Sequence, residues 1–185
     1  MEYKVLFTGP AGAGKTTAIT AVSEVTTLNT DVKNNDVDID KLTTTVGLDY
    51  GEMSLSNGDK LRLYGTPGQQ RFDFMWEILS RGALGLVILI DNRKPDPVAD
   101  LNVYLDGFKS LIDTTSCVVA ISHMDTHPEP NIEYFSEHLN QRGILCPVLE
   151  ADVREARHVA ELLELLMLQL EAKQDMVRDM DSYAD

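Results

Sequence analysis

Positive charge, cysteine and long apolar runs are what this sequence has little of. Sixteen Lys and Arg face 30 Asp and Glu, a formal charge of −14 at pH 7. A field of that sign repels phosphate backbones, so nucleic acid and anionic lipid surfaces are poor partners. Any phosphate ligand must be held by a local device that overrides the global field. The two cysteines, Cys117 and Cys146, sit in separate apolar stretches without metal-ligand spacing and read as small core residues. The longest uncharged apolar run, residues 82–90, falls far short of the ~18 residues of a membrane span. The amino terminus has no basic stretch leading into an apolar one, Glu2 excludes N-myristoylation, and the closing Ser-Tyr-Ala-Asp is no prenylation box. The expectation is a cytoplasmic protein with no stable membrane anchor.

With 43% apolar residues in 185, the chain can build one real core. Residues 1–178 read as a single domain and 179–185 as an acidic tail. Strand-length apolar runs occur at 3–8, 46–55, 60–64, 84–90, 117–121 and 145–149. Helix-period segments lie at 15–25, 70–79, 97–112, 132–141 and 155–178. Such alternation argues for an α/β fold with a mostly parallel sheet and helices on both faces. Asn57-Gly58 fits a type I′ turn, so the second and third strands should form an antiparallel hairpin. The polar stretch 26–44 is too long and acidic for a tight connection, as functional loops often are.

The strongest chemical signal is Gly9-Pro10-Ala11-Gly12-Ala13-Gly14-Lys15-Thr16, which fits G-x-x-x-x-G-K-[ST] between a strand and a helix. Small residues let backbone N–H groups curl around a phosphate, and the helix N-terminus adds its positive end. Lys15 brings a mobile charge to the β/γ-phosphates, and the Thr16 hydroxyl can ligate Mg²⁺. The candidate nucleotide-binding residues here are Gly9, Ala11, Gly12, Ala13, Gly14, Lys15, Thr16 and Thr17. The fold expected is therefore a P-loop NTPase with a six-stranded mixed sheet, its second strand antiparallel.

Further along, Tyr64-Gly65-Thr66-Pro67-Gly68-Gln69 follows the third strand and Thr43-Thr44-Thr45-Val46-Gly47 precedes the second. With the P-loop and the order of elements, these segments resemble the two switches of small Ras-like and Arf-like GTPases, most closely the bacterial MglA-type branch. The resemblance implies GTP/GDP as ligand and Mg²⁺ as cofactor, the ion held by Thr16 and Thr45. It implies a γ-phosphate contact from the Gly68 N–H and a catalytic Gln69 that orients water. It also implies a role in bacterial polarity or motility, with an activating or effector protein of Roadblock type on the switches, Phe72 and Phe74 beside Gln69 being the expected contacts.

The sequence departs from the family at several places. Gly65 stands where an aspartate usually holds Mg²⁺ through water. Asp49 and Asp91 are candidates to replace it, though both read more simply as solvated strand-end acids. After the fifth strand, Ser122-His123-Met124-Asp125 occupies the position of Asn-Lys-x-Asp. Asp125 keeps the carboxylate that accepts guanine N1–H and N2–H, His123 would cover the base, and Ser122 loses a tie to the P-loop. Glu150-Ala151-Asp152 is taken as the counterpart of Ser-Ala-Lys, with the Ala151 N–H on guanine O6. The first-switch region offers only Lys33 and Lys41, and Arg71 reads as an exposed helix-start residue, so unassisted hydrolysis should be slow. Two other readings stay open: a nucleotide-binding scaffold with little hydrolysis, and a P-loop ATPase.

Overall fold

The structure, a computed structural model, describes residues 1–29, 48–68 and 72–182, with side chains to residue 173. Thr45, Gln69, Arg71, Lys33 and Lys41 lie outside the described residues. In chain order the elements are β1 (Glu2–Thr8), α1 (Lys15–Val22), β2 (Leu28–Asn29), β3 (Asp49–Ser54), β4 (Lys60–Gly65), α2 (Asp73–Ser80), β5 (Ala83–Asp91), α3 (Pro97–Gly107), α4 (Lys109–Thr114), β6 (Ser116–Ser122), α5 (Ile132–Gln141), β7 (Val148–Glu150) and α6 (Ala156–Ser182). They build one sheet in the order β2-β3-β4-β1-β5-β6-β7. The six expected strands are present, and β3, the second of them, runs antiparallel to β4. The two-residue β2 adds itself to the edge beside β3.

The central strands are apolar on both faces because helices cover both. Val5 and Phe7 of β1 join Val87, Leu89, Val118 and Ala120 in a layer closed by α1 and α6. Leu6, one residue out of phase, joins Leu86, Ile88, Ile90, Val119 and Ile121 in the layer under α3, α4 and α5. Each such side chain fully buried contributes about 1.5–3 kcal/mol. On α6, Val159, Leu162, Leu163 and Leu166 are buried as their 3.6-residue spacing requires. Leu168 is 61% exposed. Among the described residues no helix is long and apolar enough to cross a membrane.

Three local expectations change. The hairpin forms, but its turn is not type I′: Gly58 alone has positive φ (83°), and Leu55 accepts from the Gly58 N–H while donating to Asp59. This is a three-residue loop with glycine at the left-handed position. Asn57 stays out of that conformation by using its side chain, which accepts from the Asp59 N–H at 2.9 Å. The third predicted helix breaks at Gly107–Phe108, where a Cβ on Gly107 would lie 2.4 Å from the Trp76 ring and Phe108 stacks on Trp76 at 5.1 Å. The last strand starts at Val148 rather than 145: Leu145 is 89% exposed, and Pro147 has no N–H to donate to a ladder.

Candidate functional site

The parallel strands all end on one edge, where ligands of open α/β sheets bind. There β1 hands over to the glycine loop. Gly9 has φ 144° and a Cβ on it would lie 2.2 Å from the Leu89 carbonyl oxygen. Gly14, at φ 96°, would meet Val153 Cγ2 at 2.6 Å. Both positions exclude a side chain. The loop closes on itself through Ala13 N–H to the Pro10 carbonyl, and Gly12 and Ala11 are exposed on its outer side.

Lys15 opens α1 and is buried. Its ammonium donates to the carbonyls of Gly9 at 2.7 Å and Pro10 at 2.8 Å. Burial pulls its pKa down to about 8, against the opposing pull of Asp49. The hydroxyl of exposed Thr16 donates to Asp49 Oδ2 at 2.7 Å; Thr17 lines the neighbouring cleft.

Asp49 and Asp91 are not solvated. Both are buried, and each has a partner. Asp91 is gripped by the Arg93 guanidinium through two bonds of 3.0 and 2.8 Å, which hold its carboxyl below the usual range. Asp49 pairs across the hairpin with Gly65. A Cβ on Gly65 would lie 2.8 Å from Asp49 Oδ2, so the carboxylate fills the space that a residue-65 side chain would take.

Gly68 crosses directly over the glycine loop: a Cβ there would meet the Ala11 nitrogen at 2.5 Å and Lys15 Nζ at 2.7 Å. Phe72, expected as a partner contact, is instead buried; Phe74 and Ile78 are the exposed apolar residues of α2.

Beside the glycine loop lies a cleft of about 520 Å³, lined by Gly12, Ala13, Gly14, Thr17, Ser122, His123, Asp125, Ala151, Val153, Arg154 and His158 among others. Its size suits a nucleoside. His123 takes a left-handed conformation (φ 63°) at the β6 exit, and Asp125 is exposed on the loop that follows. The expected use of the Ala151 N–H does not hold, since that group continues the β6–β7 ladder by donating to the Ile121 carbonyl at 3.0 Å. The Asp152 N–H is taken by His158 Nδ1. The Val153 N–H comes next and has no partner among the described residues. Arg154 is held by Asp152 in a bidentate pair (Nε–Oδ1 2.9 Å, Nη2–Oδ2 2.6 Å), which keeps the Asp152 carboxyl well below its ordinary range.

Ser122 ties β6 to the Ile90 carbonyl of β5 at 3.2 Å. The loop after it is fastened by Asn92, whose buried amide donates to the carbonyls of His127 at 2.6 Å and Pro130 at 3.1 Å. Asn92, Val153, Arg154 and His158 were not singled out from sequence. Only Arg154 and Asp152, two apart in an acid–base pair, left a local signal.

Comparison with known proteins gives two kinds of match. The profile of a family described as "Conserved hypothetical ATP binding protein" covers residues 7–185. Among individual proteins, the chain is similar to the GTP-binding protein ypt4 of Schizosaccharomyces pombe, 29% identical over 123 residues, covering 63% of the chain and 48% of that protein. It is similar to an uncharacterized protein of Methanocaldococcus jannaschii, 31% identical over 93 residues, covering 50% of the chain and 53% of that protein. It is similar to the Ras-related protein RABC2a of Arabidopsis thaliana, 23% identical over 176 residues, covering 92% and 78%. The chain thus spans about half the length of the first two.

Proposed function

The chain belongs to the family described as conserved hypothetical ATP binding proteins, and from that premise we propose that it is a guanine-nucleotide switch that binds GTP and GDP and hydrolyses GTP slowly. The single observation that carries this reading is that the glycine loop, whose carbonyls hold the buried Lys15, also walls the cleft bearing Asp125. Lys15 and the loop fasten the phosphates. Asp125 accepts two N–H groups from guanine, which adenine does not offer, and the Val153 N–H faces O6, which adenine replaces with a donor. The family's description speaks of ATP, whereas the relative ypt4 is a GTP-binding protein; the carboxylate favours guanine.

The residues fit Mg²⁺. A hydroxyl and a carboxylate, Thr16 and Asp49, meet at 2.7 Å beside the phosphate loop, and hard oxygen ligands are what this ion takes. With Thr45, which the resemblance adds, they would hold the ion. When bound, it would neutralise charge on the β- and γ-phosphates. Asp49 thereby supplies from β3 what Gly65 lacks on β4, which weighs against a scaffold that scarcely hydrolyses.

The chain's own groups then divide the work. Gly68 lies against Lys15 and the glycine loop and reports the terminal phosphate; Gln69 orients water. Arg154, which lines the cleft, and Arg93, just past the end of β5, are both engaged by acids, so neither is free to stabilise the transferring phosphoryl group. A partner that docks on the second switch, with Phe74 and Ile78 as exposed apolar contacts, supplies the missing acceleration. The MglA-type resemblance suggests a Roadblock-type activator in a polarity or motility pathway.

Phosphate release from GTP and from ATP, with Mg²⁺ and with excess chelator, tests this. The expected result is Mg²⁺-dependent release from GTP at roughly 10⁻³ s⁻¹ or slower and none resolved from ATP. Faster turnover of ATP would assign the chain to the ATPases.

A further inference from the structure

Thr66, Pro67 and Gly68 leave β4 across the glycine loop, and each is fastened to a different element. The Thr66 N–H donates to the Phe7 carbonyl at 2.9 Å, and its hydroxyl lies 2.7 Å from that of Thr8, both on β1. The Pro67 carbonyl accepts from Trp76 Nε1 on α2 at 3.2 Å. The Gly68 carbonyl accepts from the Tyr104 hydroxyl on α3 at 2.9 Å. The Trp76 and Tyr104 rings pack together with centroids 5.1 Å apart, and both are buried.

A buried tyrosine hydroxyl needs a partner, and a phenylalanine would pack the same ring without one. The hydroxyl therefore serves something beyond the core. Its partner is the carbonyl of Gly68, the residue whose Cα lies against Ala11 and Lys15. Burial, reinforced by Asp100, holds the phenol well above its usual range, so it stays a donor at any working pH.

We propose that Tyr104 is a positioning residue for the second switch: by holding the Gly68 carbonyl it fixes, from the following peptide, the residue whose N–H meets the terminal phosphate, and so sets the preference for triphosphate over diphosphate. The proposal rests on the reading of the chain as a nucleotide switch. It assigns α3 a share in ligand discrimination, although α3 contributes no group to the nucleoside cleft.

Tyr104→Phe isolates the hydroxyl. Affinities for GDP and for a non-hydrolysable GTP analogue, measured beside the melting temperature, should show a loss of about fivefold for the analogue, the worth of one neutral hydrogen bond, with GDP unchanged. Trp76→Phe, which removes the donor to Pro67, should shift the same ratio in the same direction. Equal losses for both nucleotides, or no loss for either, would overturn the proposal and leave Tyr104 a packing residue. Wild-type protein that binds neither nucleotide would instead overturn the switch reading before any variant is compared.

Discussion

Lys15 carries a charge that the fold does little to compensate. Desolvation lowers its pKa to about 8, two loop carbonyls are its hydrogen-bond partners, and Asp49 opposes the shift only in part. Its folded pKa lies below the unfolded value near 10.5, so between these two the unfolded chain binds more protons. Stability therefore rises with pH across that window, and the charged form costs stability below it. A polyphosphate reverses the balance by keeping the lysine protonated. Binding of GDP at pH about 8.5 should accordingly take up a proton fraction clearly larger than at pH about 6.5. Calorimetry in buffers of different ionisation enthalpy measures this. Lys15→Arg, permanently charged, should bind without uptake; uptake that survives the substitution would place the titrating group elsewhere.

At the scale of elements, the register of the β3–β4 hairpin puts Asp49 opposite Gly65, at the proposed metal site. Counting outward from a three-residue turn centred on Asn57 pairs Asp49 with Gly65; a two-residue turn at Asn57-Gly58 would have paired it with Thr66. A slip of one residue turns a side chain to the other face. If Asp49 replaces the acid missing at Gly65, the carboxylate can be moved across the strand pair. Asp49→Ala should weaken Mg²⁺ binding to the nucleotide complex by about tenfold or more, read from a Mg²⁺ titration of nucleotide release. The exchange of Asp49→Gly with Gly65→Asp should restore most of it, because the space vacated on one strand receives the side chain of the other. An unchanged Mg²⁺ midpoint in the single variant would reduce Asp49 to a hydrogen-bond partner of Thr16. This register also shows where sequence was legible and where it was not. The Asn-Gly step signalled the hairpin, yet its turn type depends on whether asparagine enters a left-handed conformation or bonds the chain through its side chain. Likewise the alternation of apolar residues located β7, but Pro147 and the exposed Leu145 moved its start by three residues. The ladder then consumed the Ala151 N–H that sequence matching had assigned to a base.

For the whole molecule, the sign of the charge and the site are complementary statements. A chain with fourteen excess negative charges repels a free nucleotide at long range, so binding depends on short-range devices: the glycine loop, the helix end and one buried lysine. Those were readable because a phosphate cradle has few sequence solutions. The layered sheet was readable for a similar reason, since strands buried on both faces must be apolar throughout. Contacts between distant segments left no such trace: Tyr104 on Gly68, Asn92 on the loop of Asp125, and Asp49 on Thr16 each join residues 33 or more apart. The central claim is that this surface selects guanine. Displacement of a fluorescent GDP analogue by unlabelled GDP and by ADP tests it most directly. The account predicts that GDP displaces the probe at a concentration at least about tenfold lower, the two polar contacts at Asp125 and Val153 each being worth a kcal/mol or more, and that Asp125→Ala lowers the preference by about fivefold or more. Displacement by ADP at equal or lower concentration would contradict it.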